Sequence, residues 1–105
     1  MRKVRTVDAE ASLSRALGHP IRLGIALRLA KAGEICACDF TEEFGVSQPT
    51  ISGHLRALRE AGLVRTRRQG TQVCYSLDPD ALDRAATVLA RLAPPASVQP
   101  GARLR

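Results

Sequence analysis

Cys36 and Cys38 stand one residue apart in the stretch EICACDF, Glu34 to Phe40, and Cys74 is the third and last cysteine of the chain. Thiolates are soft ligands that select soft ions. Two of them this close can hold such an ion, act as a redox pair, or serve as small buried hydrophobes. Thioredoxin-like redox chemistry wants C-x-x-C beside a βαβ unit, and the chain has neither. For the ligand reading the spacing matters. Residues two apart on a regular helix do not face each other. Cys36 and Cys38 therefore reach one ion only where a helix starts or unwinds. A helix N-terminus also favours the thiolate. Closing both sulfurs on an ion at such a place would distort the helix that carries them.

A second group of residues follows at once, in VSQPTISGHLRALREAG. Ser47 is a good helix N-cap, and Pro49 is tolerated in a first turn. Ile51, Leu55 and Leu58 make one apolar stripe at helical spacing. Opposite it lie Pro49, Gly53 and Arg56, flanked by Thr50 and Ser52. Gln48 can reach a base edge from the helix start, and Gly53 lets a backbone approach closely. Ser47, Thr50, Ser52 and His54 suit phosphate or base contacts. Arg65, Arg67 and Arg68, with Gln69 at a turn, follow in a predicted hairpin. Each residue also has a plainer role: a cap for Ser47, solvated positions for Thr50 and Ser52, a structural histidine at His54, a solvated arginine run. Taken together, in this order, they favour a surface that binds a polyanion.

These groups need elements to hold them. A first helix is expected over about Val7 to Leu17, capped by Thr6. A second, Ile21 to Lys31, begins at His19-Pro20 and is apolar on nearly every side, so it should be the buried centre. Glu34 and Ile35 fit a short extended piece, and a third helix spans about Ala37 to Phe44. The fourth is the Ser47-capped helix, stopped by Gly62. Leu63 to Arg68 and Gln72 to Leu77 alternate as two strands, joined by a turn at QGT in which Gly70 takes the unusual backbone angles. A last helix, capped by Asp78 or Asp80, carries Leu82, Ala85, Ala86, Leu89 and Leu92 on its apolar side. The fold expected is mainly α with a β-hairpin wing: a winged helix-turn-helix of about five helices and a two- to three-stranded sheet. Residues 1–93 form one domain for DNA binding and dimerisation, and 94–105 a disordered tail rich in Pro and Gly.

Composition narrows the partners. The net charge is +6 and the pI about 10.2. All but two of the sixteen basic residues are arginine, which suits bidentate phosphate contacts. With 3% aromatic residues and no Trp, the core must be Leu, Ile, Val and Ala. No signal peptide and no membrane span is legible, which points to a cytoplasmic protein with reduced thiols and no disulfide framework. The chain is short enough that a second subunit would help it bury apolar surface. No Gly-rich anion loop adjoins a cysteine, which argues against a thiol-dependent enzyme.

From about Ser12 to Leu92 the sequence resembles the ArsR/SmtB family of metal-responsive bacterial repressors. The resemblance is carried by GHPIRL, SQPTISGHLRALREAGLV and RQGTQVCYSL, and EICACDF is similar to the ELCVCDL box of the family's arsenic, antimony, cadmium and lead sensors. It implies a homodimeric repressor that leaves its double-stranded operator DNA when a metal or metalloid binds, with no cofactor required for DNA binding. The inducer implied is trivalent arsenic or antimony at Cys36 and Cys38. A mercury, cadmium, lead or redox sensor of the same fold is the alternative, and a thiol-dependent enzyme such as an arsenate reductase the remote one. The pattern departs from the family in three places. The third cysteine of the arsenic box is replaced by Thr41. No cysteine precedes Cys36. No histidine lies between Asp80 and Leu92, which argues against the family's zinc, cobalt and nickel sites. Cys74 is the candidate third sulfur. It lies in the second wing strand, well after the box, so on sequence alone Cys74→Ser is expected to keep arsenite-driven release.

Overall fold

The computed structural model describes residues 7–94. Thr6, expected as a cap, and the tail beyond residue 94 lie outside the described residues. In chain order the elements are α1 (Asp8–Leu17), α2 (Pro20–Ala32), β1 (Ile35–Cys36), α3 (Ala37–Phe44), α4 (Gln48–Glu60), β2 (Val64–Gln69), β3 (Gln72–Leu77) and α5 (Pro79–Leu92). The winged helix-turn-helix expected from the sequence is the fold observed. The strand order is β1-β3-β2, antiparallel throughout, with β3 in the centre.

Local chemistry sets most boundaries. The His19 Nδ1 accepts from the Ile21 N–H and starts α2, with Pro20 at the first helical position. Asp78 caps α5 by accepting from the Asp80 N–H. Its carboxyl is held below the ordinary range: burial works to raise it, and the Asp80 N–H, the Arg65 charge and the Ala81 N–H outweigh that. Gly70, at φ 65°, is the first of two residues linking β2 to β3, and no other residue type among those described has positive φ. That is the pattern of a type II′ hairpin turn.

The core gathers Leu13 of α1, Ile25 and Leu29 of α2, Phe40 of α3, the Ile51–Leu55–Leu58 stripe of α4, and Leu63, Val64 and Ala81. Two expectations about helix faces need correction. In α2 only Ile25, Ala26 and Leu29 are buried, while Leu23 and Leu27 are 45% and 64% exposed. A domain of this size has too few neighbouring elements to surround a central helix. The apolar side of α5 also divides. Ala81 and Ala85 are buried and Leu82 packs on the core, but Ala86 is exposed and Leu89 and Leu92 stand 63% and 76% exposed.

Residues on the sheet separate cleanly by face, because neighbours on a strand point opposite ways and paired residues point the same way. Ile35 pairs with Tyr75, and Val64 with Leu77; all four belong to or pack on the core. The other face carries Cys36 opposite Cys74 and Cys74 opposite Arg67, with Gln72 and Ser76 on the same side of β3 and Arg65 and Gln69 on the same side of β2.

Candidate nucleic-acid interface and thiol site

The α4 helix presents what the sequence led one to expect. Ser47 accepts from the Thr50 N–H at 3.4 Å and also lies 3.0 Å from the Thr50 hydroxyl. Its apolar stripe faces inward, and Ser47, Gln48, Pro49, Thr50, Ser52, Gly53 and Arg56 are all exposed on the outer side. No heavy atom stands within 4 Å of where a Cβ on Gly53 would lie, so the helix surface there is open. His54 is different. It is partly buried, and its ring lies against that of His19 at a centroid separation of 4.4 Å, the two planes tilted by 51°. Burial, reinforced by the His19 and Arg22 charges, holds its pKa below the ordinary histidine value. His54 therefore also serves to join α4 to the start of α2.

The wing arginines are not equivalent. Arg65 Nη2 donates to the Asp78 carboxylate at 3.3 Å. Arg67 forms a two-pronged pair with Glu34, Nε to Oε2 at 2.9 Å and Nη2 to Oε1 at 2.7 Å, and Nη2 also donates to Gln69 Oε1. The hydrogen bonds and charge of Arg67 hold the Glu34 carboxyl below its usual range. Arg68 is exposed and has no carboxylate partner among the described residues. Of the three arginines, it is the one free to reach a phosphate without breaking an ion pair.

Around the cysteines the structure departs from expectation. Cys36 ends β1 in extended conformation and is the N-cap residue of α3, while Cys38 lies in the first turn of that helix. The break between strand and helix thus falls between the two cysteines. Cys38 is exposed, and its Sγ donates to Gln72 Oε1 at 3.0 Å. Cys74, expected to lie apart from the box, is fully buried directly opposite Cys36, and the two are joined as a disulfide across 38 residues of sequence. The cysteine arithmetic had no place for that bond; the β1–β3 register makes it, by setting two side chains of the same face against each other. Thr41, where the arsenic box carries its third cysteine, turns its hydroxyl back to the Cys38 carbonyl at 3.2 Å. With Cys36 and Cys74 joined, no group of three His, Cys, Asp or Glu side chains among the described residues is placed to hold a metal ion.

A Ser-capped helix with a polar outer side, preceded by a short helix and followed by a basic hairpin, defines a winged helix-turn-helix regulator rather than an enzyme. Residues 19–66 match the family described as bacterial regulatory protein, arsR family. The chain belongs to that family. It is 48% identical over 67 residues to the arsenical resistance operon repressor of Escherichia coli K12, an alignment covering 64% of this chain and 57% of that protein. The arsenical resistance operon repressor of Staphylococcus xylosus is 42% identical over 73 residues, covering 70% of this chain and 69% of that one. Among solved structures, the homodimeric winged helix-turn-helix DNA-binding domain Mb0332 of Mycobacterium bovis, a possible ArsR-family regulator, superposes with a TM-score of 0.72. It is 32% identical, over 87% of this chain and 84% of that one.

Proposed function

We propose that this chain is a transcriptional repressor that binds operator DNA as a homodimer and releases it when trivalent arsenic or antimony binds thiolates at the start of α3. The observation that carries the reading is the strand-to-helix break between Cys36 and Cys38, one helix before the exposed polar side of α4. The break removes the helical restriction on two residues at this spacing. An ion drawing on both sulfurs acts on the start of α3, and α3 packs against α4, with Phe40 and Ile51 both in the core. By linkage, whatever the ion costs in DNA affinity the DNA costs in ion affinity. The names of the relatives in Escherichia coli and Staphylococcus xylosus point to the same inducer.

DNA contacts are assigned to Ser47, Gln48, Pro49, Thr50, Ser52, Gly53, His54 and Arg56 of the recognition helix and to Arg67, Arg68 and Gln69 of the wing. For dimerisation, Val7 at the start of α1 and Leu92 of α5 are exposed and line, with Val88 and Arg91, a cavity of about 250 Å³, and Leu89 is exposed on the same helix. A second copy would cover it, as the homodimeric relative suggests.

A second reading is favoured by one observation, the Cys36–Cys74 disulfide: the same repressor responding to thiol oxidation. The test is a release titration. Reduced protein is bound to a duplex selected by the protein from a random pool, then challenged separately with arsenite, antimonite, cadmium, mercury, zinc and peroxide. Release by arsenite and antimonite, lost in Cys36→Ser and Cys38→Ser while DNA binding persists, supports the first reading. Release by peroxide alone would replace it with the second.

A further inference from the structure

We propose that Cys74 of the wing is the third sulfur of the inducer site, so that trivalent arsenic or antimony is held by Cys36, Cys38 and Cys74 and ties the entrance of α3 to the central wing strand. This rests on the regulatory reading above and names its ligand set.

Two observations converge on one face of β3. Cys36 lies opposite Cys74, close enough for their sulfurs to bond. Cys38 reaches Gln72, which is two residues before Cys74 and therefore on the same face of the strand. Thr41 offers no thiolate, its hydroxyl being turned to the Cys38 carbonyl. A trivalent arsenic centre has three bonds to make, and Cys74 is the one cysteine of the sequence besides Cys36 and Cys38. The Cα atoms of Cys36 and Cys74 are 3.8 Å apart, so once the disulfide is opened both sulfurs are within reach of one soft ion bound at about 2.3 Å from each. Cys38 needs to exchange its Gln72 contact for the ion, and it is exposed and free to turn.

The chemistry balances without a redox step once the cysteines are reduced. Thiol–disulfide exchange with a small dithiol opens the Cys36–Cys74 bond, yielding two protein thiols and one oxidised dithiol. Arsenious acid then condenses with three thiols: three arsenic–sulfur bonds form, three arsenic–oxygen bonds break, and three waters leave with the thiol protons. The disulfide and the arsenic-loaded state use the same two sulfurs and exclude each other.

The site also reaches the wing directly. Cys74 pairs on its other side with Arg67, whose guanidinium is anchored on Glu34, two residues before Cys36. An ion that repositions β3 against β1 therefore acts on the hairpin as well as on α3.

The test uses protein reduced with dithiothreitol and desalted without air. X-ray absorption on the protein with one equivalent of arsenite should show three sulfurs per arsenic in the wild type and two in Cys74→Ser. Arsenite should protect all three wild-type thiols from maleimide alkylation, counted by mass. Cys74→Ser and Cys74→Ala should still bind the selected duplex and need at least about tenfold more arsenite for half-release, the scale of loss expected when a metal site loses support. Two sulfurs in the wild type, with Cys74 alkylated at the unprotected rate, would overturn the proposal even if release is normal. Since these readouts use the wild type, they stand if the variants fail to fold. Absence of any arsenite-driven release from the reduced wild type would instead sink the regulatory reading on which the proposal rests.

Discussion

Removing Arg68 should cost salt dependence in a measurable amount. A protein that neutralises a phosphate with one cation loses about 0.9 in the slope of log affinity against log salt when that contact is removed. Arg65 is occupied by Asp78 and Arg67 by Glu34, whereas Arg68 is exposed and has no carboxylate partner among the described residues. Each wing of a dimer would contribute one such contact, so Arg68→Ala should reduce the slope by about 1.8 per dimer. Between 50 and 200 mM salt the wild type should then lose about twelvefold more affinity than the variant. Fluorescence anisotropy on a labelled duplex across a salt series measures this directly, and random duplexes should show the same change, because phosphate contacts carry no sequence information. Arg67→Ala should alter the slope less, since its guanidinium must leave Glu34 before it can meet a phosphate. Identical slopes for Arg68→Ala and wild type would refute this account of the wing. A larger change for Arg67→Ala than for Arg68→Ala would show that the Glu34 pair opens on DNA.

Other positions give sharp expectations. Phe40 is fully buried and meets Tyr75 edge-on at a centroid separation of 6.4 Å, so Phe40→Ala should lose about 3–5 kcal/mol in urea unfolding, and Phe40→Leu, which leaves a smaller cavity, should lose less. A loss below about 1 kcal/mol would mean that the α3–wing contact collapses without cost. His54 has its pKa depressed below 6.5 in the fold, so the neutral ring favours the native state; that stability is present above pH 6.5 and is lost as pH falls through the depressed value. Unfolding midpoints compared at pH 7.5 and 5 should therefore fall more for the wild type than for His54→Gln, and parallel shifts would remove the His19–His54 contact from the explanation. Gln48→Ala should cost about 1–3 kcal/mol more on the selected duplex than on random DNA; equal losses would leave Gln48 with a positioning role.

The helix-turn-helix and wing were legible because their signals are local. A serine cap, a three-residue apolar stripe and a glycine turn each define structure within a few neighbouring residues. What escaped the sequence was non-local. The β1 strand is two residues long, too short to show any alternation, and its partner lies 38 residues away. Only the register of a sheet centred on β3 reveals that Cys36 and Cys74 share a face. In α2 and α5 the apolar positions are plain in the sequence, but the sequence does not say which of them have a neighbour to cover them. Leu27 and Leu89 have helical spacing and no cover. His54 escaped in the opposite sense, since its position suggested a DNA contact and its surroundings add a packing role.

The alternation along β3 has a consequence for how such a protein can change over generations. Tyr75 and Leu77 hold the hairpin to the domain, whereas Gln72, Cys74 and Ser76 occupy the intervening positions on the other side. Two sets of residues are thus interleaved in six positions, one packed on the core and the other carrying the thiol proposed as a ligand. Substitutions at Gln72, Cys74 and Ser76 can exchange amide, thiol and hydroxyl for one another while Tyr75 and Leu77 stay untouched. A single inserted residue between Cys74 and Tyr75 has no such freedom, because it reverses the facing of everything before it. Lineages on this scaffold can therefore explore new chemistry by point replacement far more easily than by changing the length of the strand.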